Sequence, residues 1–106
     1  MCIRDSFNSD GLIPTIAQEK STNEILMMAY SNKNSIEMTV KTKKAHFWSR
    51  SKKKLWLKGE TSGNKLNITN IYTDCDSDAL IYEVELEGIG ACHTGKKSCF
   101  YKKLEL

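Results

Sequence analysis

The chain has no long hydrophobic run, no closely paired cysteines and no strong excess of charge. Its longest continuous apolar stretch, Ile25-Leu26-Met27-Met28-Ala29-Tyr30, is too short to cross a bilayer as a helix. The start shows no signal-peptide pattern, which sets the expectation of a cytoplasmic protein. In that compartment its four cysteines are expected to be reduced, catalytic or metal-bound rather than disulfide-paired. A formal net charge of only +3 argues against a long polyanion as the partner. No repeat and no linker interrupt the sequence, and 106 residues make one domain at most. A core of that size leaves little stability to spare, so oligomerisation or a bound metal would help.

The first six residues stand apart. Met1-Cys2-Ile3-Arg4-Asp5-Ser6 reads as a translated sequencing-library adapter, so residues 1–6 are expected to be foreign and residues 7–106 to form the domain. Leaving them out removes one base, Arg4, and one acid, Asp5, so the charge stands. It also removes Cys2, and the thiols that remain are Cys75, Cys92 and Cys99.

The pattern predicts a β-dominated α+β domain with one short helix. Residues 11–18 read as a strand that Pro14 marks as an edge or a bulge. Residues 25–30 read as a second, more buried strand. Ser31 or Asn32 can cap a helix reaching about Lys43, with Ile36, Thr39 and Val40 inward. Residues 45–51 and 55–58 suit a hairpin across Lys52-Lys53-Lys54, and residues 66–72 a further strand. Leu80, Tyr82, Val84 and Leu86 alternate with Ile81, Glu83, Glu85 and Glu87, the signature of a half-buried strand.

Asp74-Cys75-Asp76-Ser77-Asp78 packs hard and soft metal ligands together. Carboxylates suit Mg²⁺, and a thiolate suits a softer ion such as Zn²⁺. If extended, the run would turn Asp74, Asp76 and Asp78 to one side and Cys75 to the other. An EF-hand reading fails, because the sixth position is Ala79 instead of Gly and the flanks read as strands. A plain solvated acidic loop stays open. The three thiols are spaced C-x16-C-x6-C. Structural zinc sites use close knuckles and four ligands, so three thiols fit a catalytic site with one open position. Buried cysteines acting as small hydrophobes are the alternative, although polar neighbours disfavour it. A zinc ion with three thiolates carries net negative charge and would benefit from a nearby base, a role suited to His93 beside Cys92.

Between residues 41 and 58 stand eight basic side chains, interleaved with Phe47, Trp48 and Trp56. A solvated lysine face accounts for Lys52, Lys53 and Lys54. Arg50 and Lys58 lie beside hydroxyls, Ser49 and Ser51, then Thr61 and Ser62, which suits a phosphate better than a nucleic acid.

Four strings carry a resemblance to phosphoribosyl-AMP cyclohydrolase. They are Phe47-Trp48-Ser49-Arg50-Ser51, Leu55-Trp56-Leu57-Lys58-Gly59-Glu60-Thr61-Ser62-Gly63, Asp74-Cys75-Asp76-Ser77-Asp78-Ala79-Leu80 and Ala91-Cys92-His93-Thr94-Gly95-Lys96-Lys97-Ser98-Cys99-Phe100. The likeness runs from about Phe7 to Tyr101. It implies an interlocked homodimer that hydrolyses the N1–C6 bond of 1-(5-phosphoribosyl)-AMP in histidine biosynthesis, with Zn²⁺ and Mg²⁺. Cys75 of one subunit would join Cys92 and Cys99 of the other around zinc, and Asp74, Asp76 and Asp78 would hold magnesium. His93 would be the general base. Trp48, Ser49 and Arg50, with Lys58, Glu60, Thr61 and Ser62, would face the phosphorylated nucleotide. Neither nucleic acid nor membrane is an implied partner. No pyrophosphohydrolase domain follows, so a monofunctional form is expected.

Two rivals remain. A zinc nucleobase deaminase would need the H-x-E and P-C-x-x-C signatures, which are missing. A non-catalytic zinc module binding nucleic acid through the lysine-rich stretch would show steeply salt-dependent affinity.

Overall fold

Strand β1 (Ile13–Glu19) and strand β2 (Ile25–Ser31) begin a computed structural model that describes residues 11–60, 62–76, 78–88, 90 and 96–106. Helix α1 (Lys33–Thr42) follows, then β3 (His46–Ser49), β4 (Lys54–Leu57), β5 (Leu66–Thr73) and β6 (Leu80–Leu86). This is the expected α+β domain, mostly strands with one short helix. The six strands form one sheet in the order β4-β3-β2-β1-β6-β5. β1 and β6 run parallel, and the other neighbours are antiparallel.

The helix starts where its cap chemistry allows. Asn32 Oδ1 accepts the Ser35 backbone N–H at 2.8 Å, and Ser35 Oγ accepts the Asn32 N–H at 2.8 Å. Two otherwise orphaned donors are thereby satisfied. The helix stops at Lys43, which takes a left-handed φ of 62° while its N–H still reaches Thr39 O. Asn32→Ala should therefore cost about 1 kcal/mol of stability, read as a lowered urea midpoint at unchanged slope.

One face of the sheet carries Ile13, Ala17, Phe47, Leu80, Tyr82 and Val84, all fully or almost fully buried. The sheet curls around them. Ala45 N–H donates to Leu66 O at 2.9 Å, and Ile68 N–H donates to Lys43 O at 2.8 Å. The segment leading into β3 thus meets β5, from the far edge of the sheet. That closure brings the Phe47 and Tyr82 rings to 5.5 Å although their strands are not neighbours.

Three expectations need correction. Pro14 is on neither an edge strand nor a bulge, since β1 lies between β2 and β6 and its irregularity falls at Ala17/Gln18. Pro14 is tolerated because pairing with β6 begins only at Thr15, so the proline needs no N–H on that side. Val40 is 51% exposed, while Ser35, Ile36 and Thr39 form the buried stripe. β2 is less buried than its composition suggests, with Ile25 and Met28 both exposed on the outer face.

Candidate active site

The acidic run is a turn and not the extended strand its alternation suggested. β5 ends at Thr73, and Asp74 N–H then donates across the turn to Ala79 O at 3.2 Å. Asp74 Oδ1 accepts the backbone N–H groups of Asp78, at 2.8 Å, and Ala79, at 3.3 Å. Turning the chain gathers the carboxylates anyway: Asp74, Asp76 and Asp78 present oxygens within 4.8 Å of one another. Sharing a hydrogen bond with Asp74, and lying close to Asp76, pushes the Asp78 carboxyl up to about 6. Asp74 is held below the usual carboxylate range, first by that same bond to Asp78. Three exposed acids so close repel one another when ionised, and a hard cation relieves that repulsion. Their all-oxygen donor set suits Mg²⁺, whose ligands sit at about 2.1 Å.

Cys99 belongs to a separate arm. Its backbone N–H donates to Leu26 O at 2.7 Å, and Ser98 Oγ donates to Ile25 O at 2.6 Å. The arm therefore lies along the start of β2, and ion pairs fasten it. Lys97 Nζ stands 2.6 Å from Glu19 Oε1 and 3.2 Å from Glu24 Oε1. A Cβ at Gly90 would meet Lys96 O at 2.5 Å, so the arm returns against that glycine's backbone. Hydrogen bonding to Lys97 holds the Glu19 carboxyl below its ordinary value of 4.5. A depressed acid stabilises the docked arm above that ordinary value and loses the contribution as pH falls through its own lowered one. Proteolysis within residues 96–101 should accordingly quicken below pH 4.5 in the intact chain, whereas Lys97→Met should remove that step.

One chain does not bring Cys75 and Cys99 together. Register places the acidic turn beyond Thr15 of β1, in the direction of Pro14. Leu26 lies the other way, three residues from Ala29, the β2 partner of Thr15. The two thiols are thus separated by roughly 10 Å or more along the strands, besides at least two strand spacings across the sheet. Thiolates sharing one zinc, each at about 2.3 Å, would lie within about 4 Å of one another. Their residue types fit zinc, and their spacing fits it only if a second copy supplies part of the set.

A cleft of about 690 Å³ opens where β2 and β3 part company. The two strands pair at Tyr30 and Trp48 and then diverge. Met28, Ala29 and Tyr30 line one side, while Trp48, Ser49, Arg50, Ser51 and Trp56 line the other. The Arg50 guanidinium carbon sits 4.0 Å from the centre of the Tyr30 ring. Among the described residues no carboxylate pairs with Arg50, which leaves its charge available to an anion. Ser49 Oγ accepts the Lys52 N–H at 3.2 Å, fixing one hydroxyl of the rim.

Of the residues singled out in the sequence, Trp48, Ser49 and Arg50 share this cleft. Lys58, Glu60 and Ser62 do not line it. Lys58 N–H donates to Ala45 O, at the opposite end of the β3–β4 hairpin and roughly 14 Å from Ser49 along the strands. Cys92, His93 and Thr61 lie outside the described residues. Ser51, noted in the sequence as a hydroxyl beside Arg50, and Trp56, noted among the basic side chains, line it too, and Tyr30 does so without having been singled out. Tyr30 was hidden inside an apolar run that reads as strand core.

The sequence profile of the phosphoribosyl-AMP cyclohydrolase family matches residues 27–101. A phosphoribosyl-AMP cyclohydrolase of Archaeoglobus fulgidus is 58% identical over 99 residues, covering 93% of this chain and 91% of that relative. Its counterpart in Prosthecochloris aestuarii is 54% identical over 97 residues, 92% of this chain and 70% of the relative. A histidine biosynthesis bifunctional protein of Aquifex aeolicus is 50% identical over 99 residues, 93% of this chain and 48% of that protein.

Proposed function

The chain belongs to the phosphoribosyl-AMP cyclohydrolase family of hydrolases, and from that premise we propose that it hydrolyses the N1–C6 bond of 1-(5-phosphoribosyl)-AMP, the third step of histidine biosynthesis. The observation that carries the site assignment is the anion-ready cleft holding Arg50, two serines and three aromatic rings. The faces of Trp48 and Trp56 suit a purine, and the Arg50 guanidinium with neighbouring hydroxyls suits its phosphate.

The ligand sets the chemistry. A ribosyl group on N1 gives the adenine amidinium character and makes C6 electrophilic. Water adds at C6, its proton is taken up, and the N1–C6 bond breaks. C6 keeps its exocyclic nitrogen as a carboxamide, and N1 leaves with its sugar as part of a formamidine. His93 is the group assigned to accept the proton. Cys75 of one subunit, with Cys92 and Cys99 of the other, is assigned to zinc, which when bound supplies the Lewis acidity that brings water towards ionisation near neutral pH. Asp74, Asp76 and Asp78 are assigned to Mg²⁺, and Lys58, Glu60, Thr61 and Ser62 to a second part of the nucleotide, which carries a phosphate at each of two ends.

Two features support a homodimer. The separation of Cys75 from Cys99 within one chain calls for a second copy. Ile25, Met28 and Tyr72 on the outer face and Phe100 in the arm are also exposed at 43–62%, hydrophobic surface suited to self-association. Metal analysis combined with turnover of phosphoribosyl-AMP by residues 7–106 tests the reading. Cys92→Ser retaining both zinc and near-normal turnover would overturn the zinc assignment.

A further inference from the structure

Arg50 is an exposed side chain just past the end of β3, the kind of long cation that ordinarily samples many rotamers. Here it is held. Tyr30 stands directly across from Trp48, and Arg50, two residues beyond Trp48, projects from the same side of the chain to lie over the Tyr30 ring. The guanidinium carbon lies over the ring at 4.0 Å from its centre, and no carboxylate among the described residues pairs with it. A planar guanidinium binds a ring and an oxyanion at once, because the first takes the face and the second the edge. Tyr30 itself is half-buried against β3, so its ring is a fixed shelf and not a second mobile group.

We propose that Tyr30 is a positioning residue that holds the Arg50 guanidinium flat, so that its N–H edge faces the cleft and receives a phosphate monoester of the nucleotide. This rests on the nucleotide-hydrolase reading above. In this role Tyr30 acts through Arg50 and not on the reacting atoms, so its loss weakens capture of the anion more than it slows the bond-breaking step. An exposed-to-partly-desolvated cation–π contact corresponds to about a 3- to 30-fold change in affinity.

The test is a double-mutant cycle with two readouts. The first is the KM and kcat for phosphoribosyl-AMP. The second is the dissociation constant of AMP, followed by the fluorescence of Trp48 and Trp56, and it needs no turnover. Tyr30→Leu should raise KM and weaken AMP binding by about 3- to 30-fold, with kcat changed by less than about 3-fold. Tyr30→Phe, which keeps the ring, should restore affinity. In an Arg50→Ala background, Tyr30→Leu should add almost nothing. Tyr30→Met replaces Tyr30→Leu should the latter fail to fold. The proposal is overturned if the non-aromatic variant matches the Phe variant in AMP affinity. It is equally overturned if the two lesions add in full, or if the loss falls on kcat alone. Wild-type protein that binds AMP without turning over phosphoribosyl-AMP would defeat the functional reading and leave the Tyr30 cycle to be decided by AMP binding.

Discussion

Cys75→Ser and Cys99→Ser, each expected to be inactive and zinc-depleted alone, should recover activity when unfolded and refolded together. The reason is the separation of the two thiols within one chain, one beyond the end of β5 and the other held against Leu26 of β2. In the proposed dimer, a mixed pair would put both lesions in one zinc site and neither in the other. Random association then restores about a quarter of wild-type zinc content and turnover. The geometry also says which pairs do not complement. Met28, on the wall of the Arg50 cleft, is two residues from Leu26, or roughly 7 Å along β2. In the proposed dimer Arg50 and Cys99 of one subunit would therefore serve the same site. Mixing Arg50→Ala with Cys75→Ser should recover activity, whereas mixing Arg50→Ala with Cys99→Ser should not. Recovery in the second mixture and not in the first would place the cleft with the other half of the metal set.

Phe47→Ala should be the most damaging single core substitution. Phe47 is fully buried, and its ring lies 5.3 Å from that of Trp56 and 5.5 Å from that of Tyr82. It therefore ties the β3–β4 hairpin to the far half of the curled sheet. Emptying that position costs about 3–5 kcal/mol, a large part of what a domain of this size has. Thermal unfolding should fall by about 10–25 °C. The adjacent Trp48 and the nearby Arg50 should lose their alignment with Tyr30, so a fraction still folded should bind AMP more weakly. Phe47→Leu should recover much of the stability without the two ring contacts.

Much of this was legible from local chemistry. Ser31 or Asn32 announced the helix start, and the structure selects Asn32, whose amide closes a capping box with Ser35. Leu80, Tyr82 and Val84 announced a half-buried strand through their alternation, and Lys52-Lys53-Lys54 marked the hairpin connection. The parallel pairing of β1 with β6 was not legible, since it joins residues some 65 positions apart and leaves no local trace. Pro14 misled for the same reason: whether a proline needs an N–H partner depends on where the neighbouring strand begins. The acidic run gathered its carboxylates by a turn closed on Asp74 and not by strand alternation, so the three expected side chains converged for a different reason. Lys58 and Arg50 looked equivalent in sequence, each a cation beside hydroxyls. Only the hairpin register shows that they stand at opposite ends of one element.

The product of the reaction tests the central claim most directly. Purified protein lacking residues 1–6 is incubated with 1-(5-phosphoribosyl)-AMP and the product is weighed by mass spectrometry while ammonia is assayed in the same tube. Hydrolytic ring opening predicts a product heavier by one water with every nitrogen retained and no ammonia released. Release of one ammonia per turnover, with the purine ring intact, would contradict it and identify a deaminase in its place.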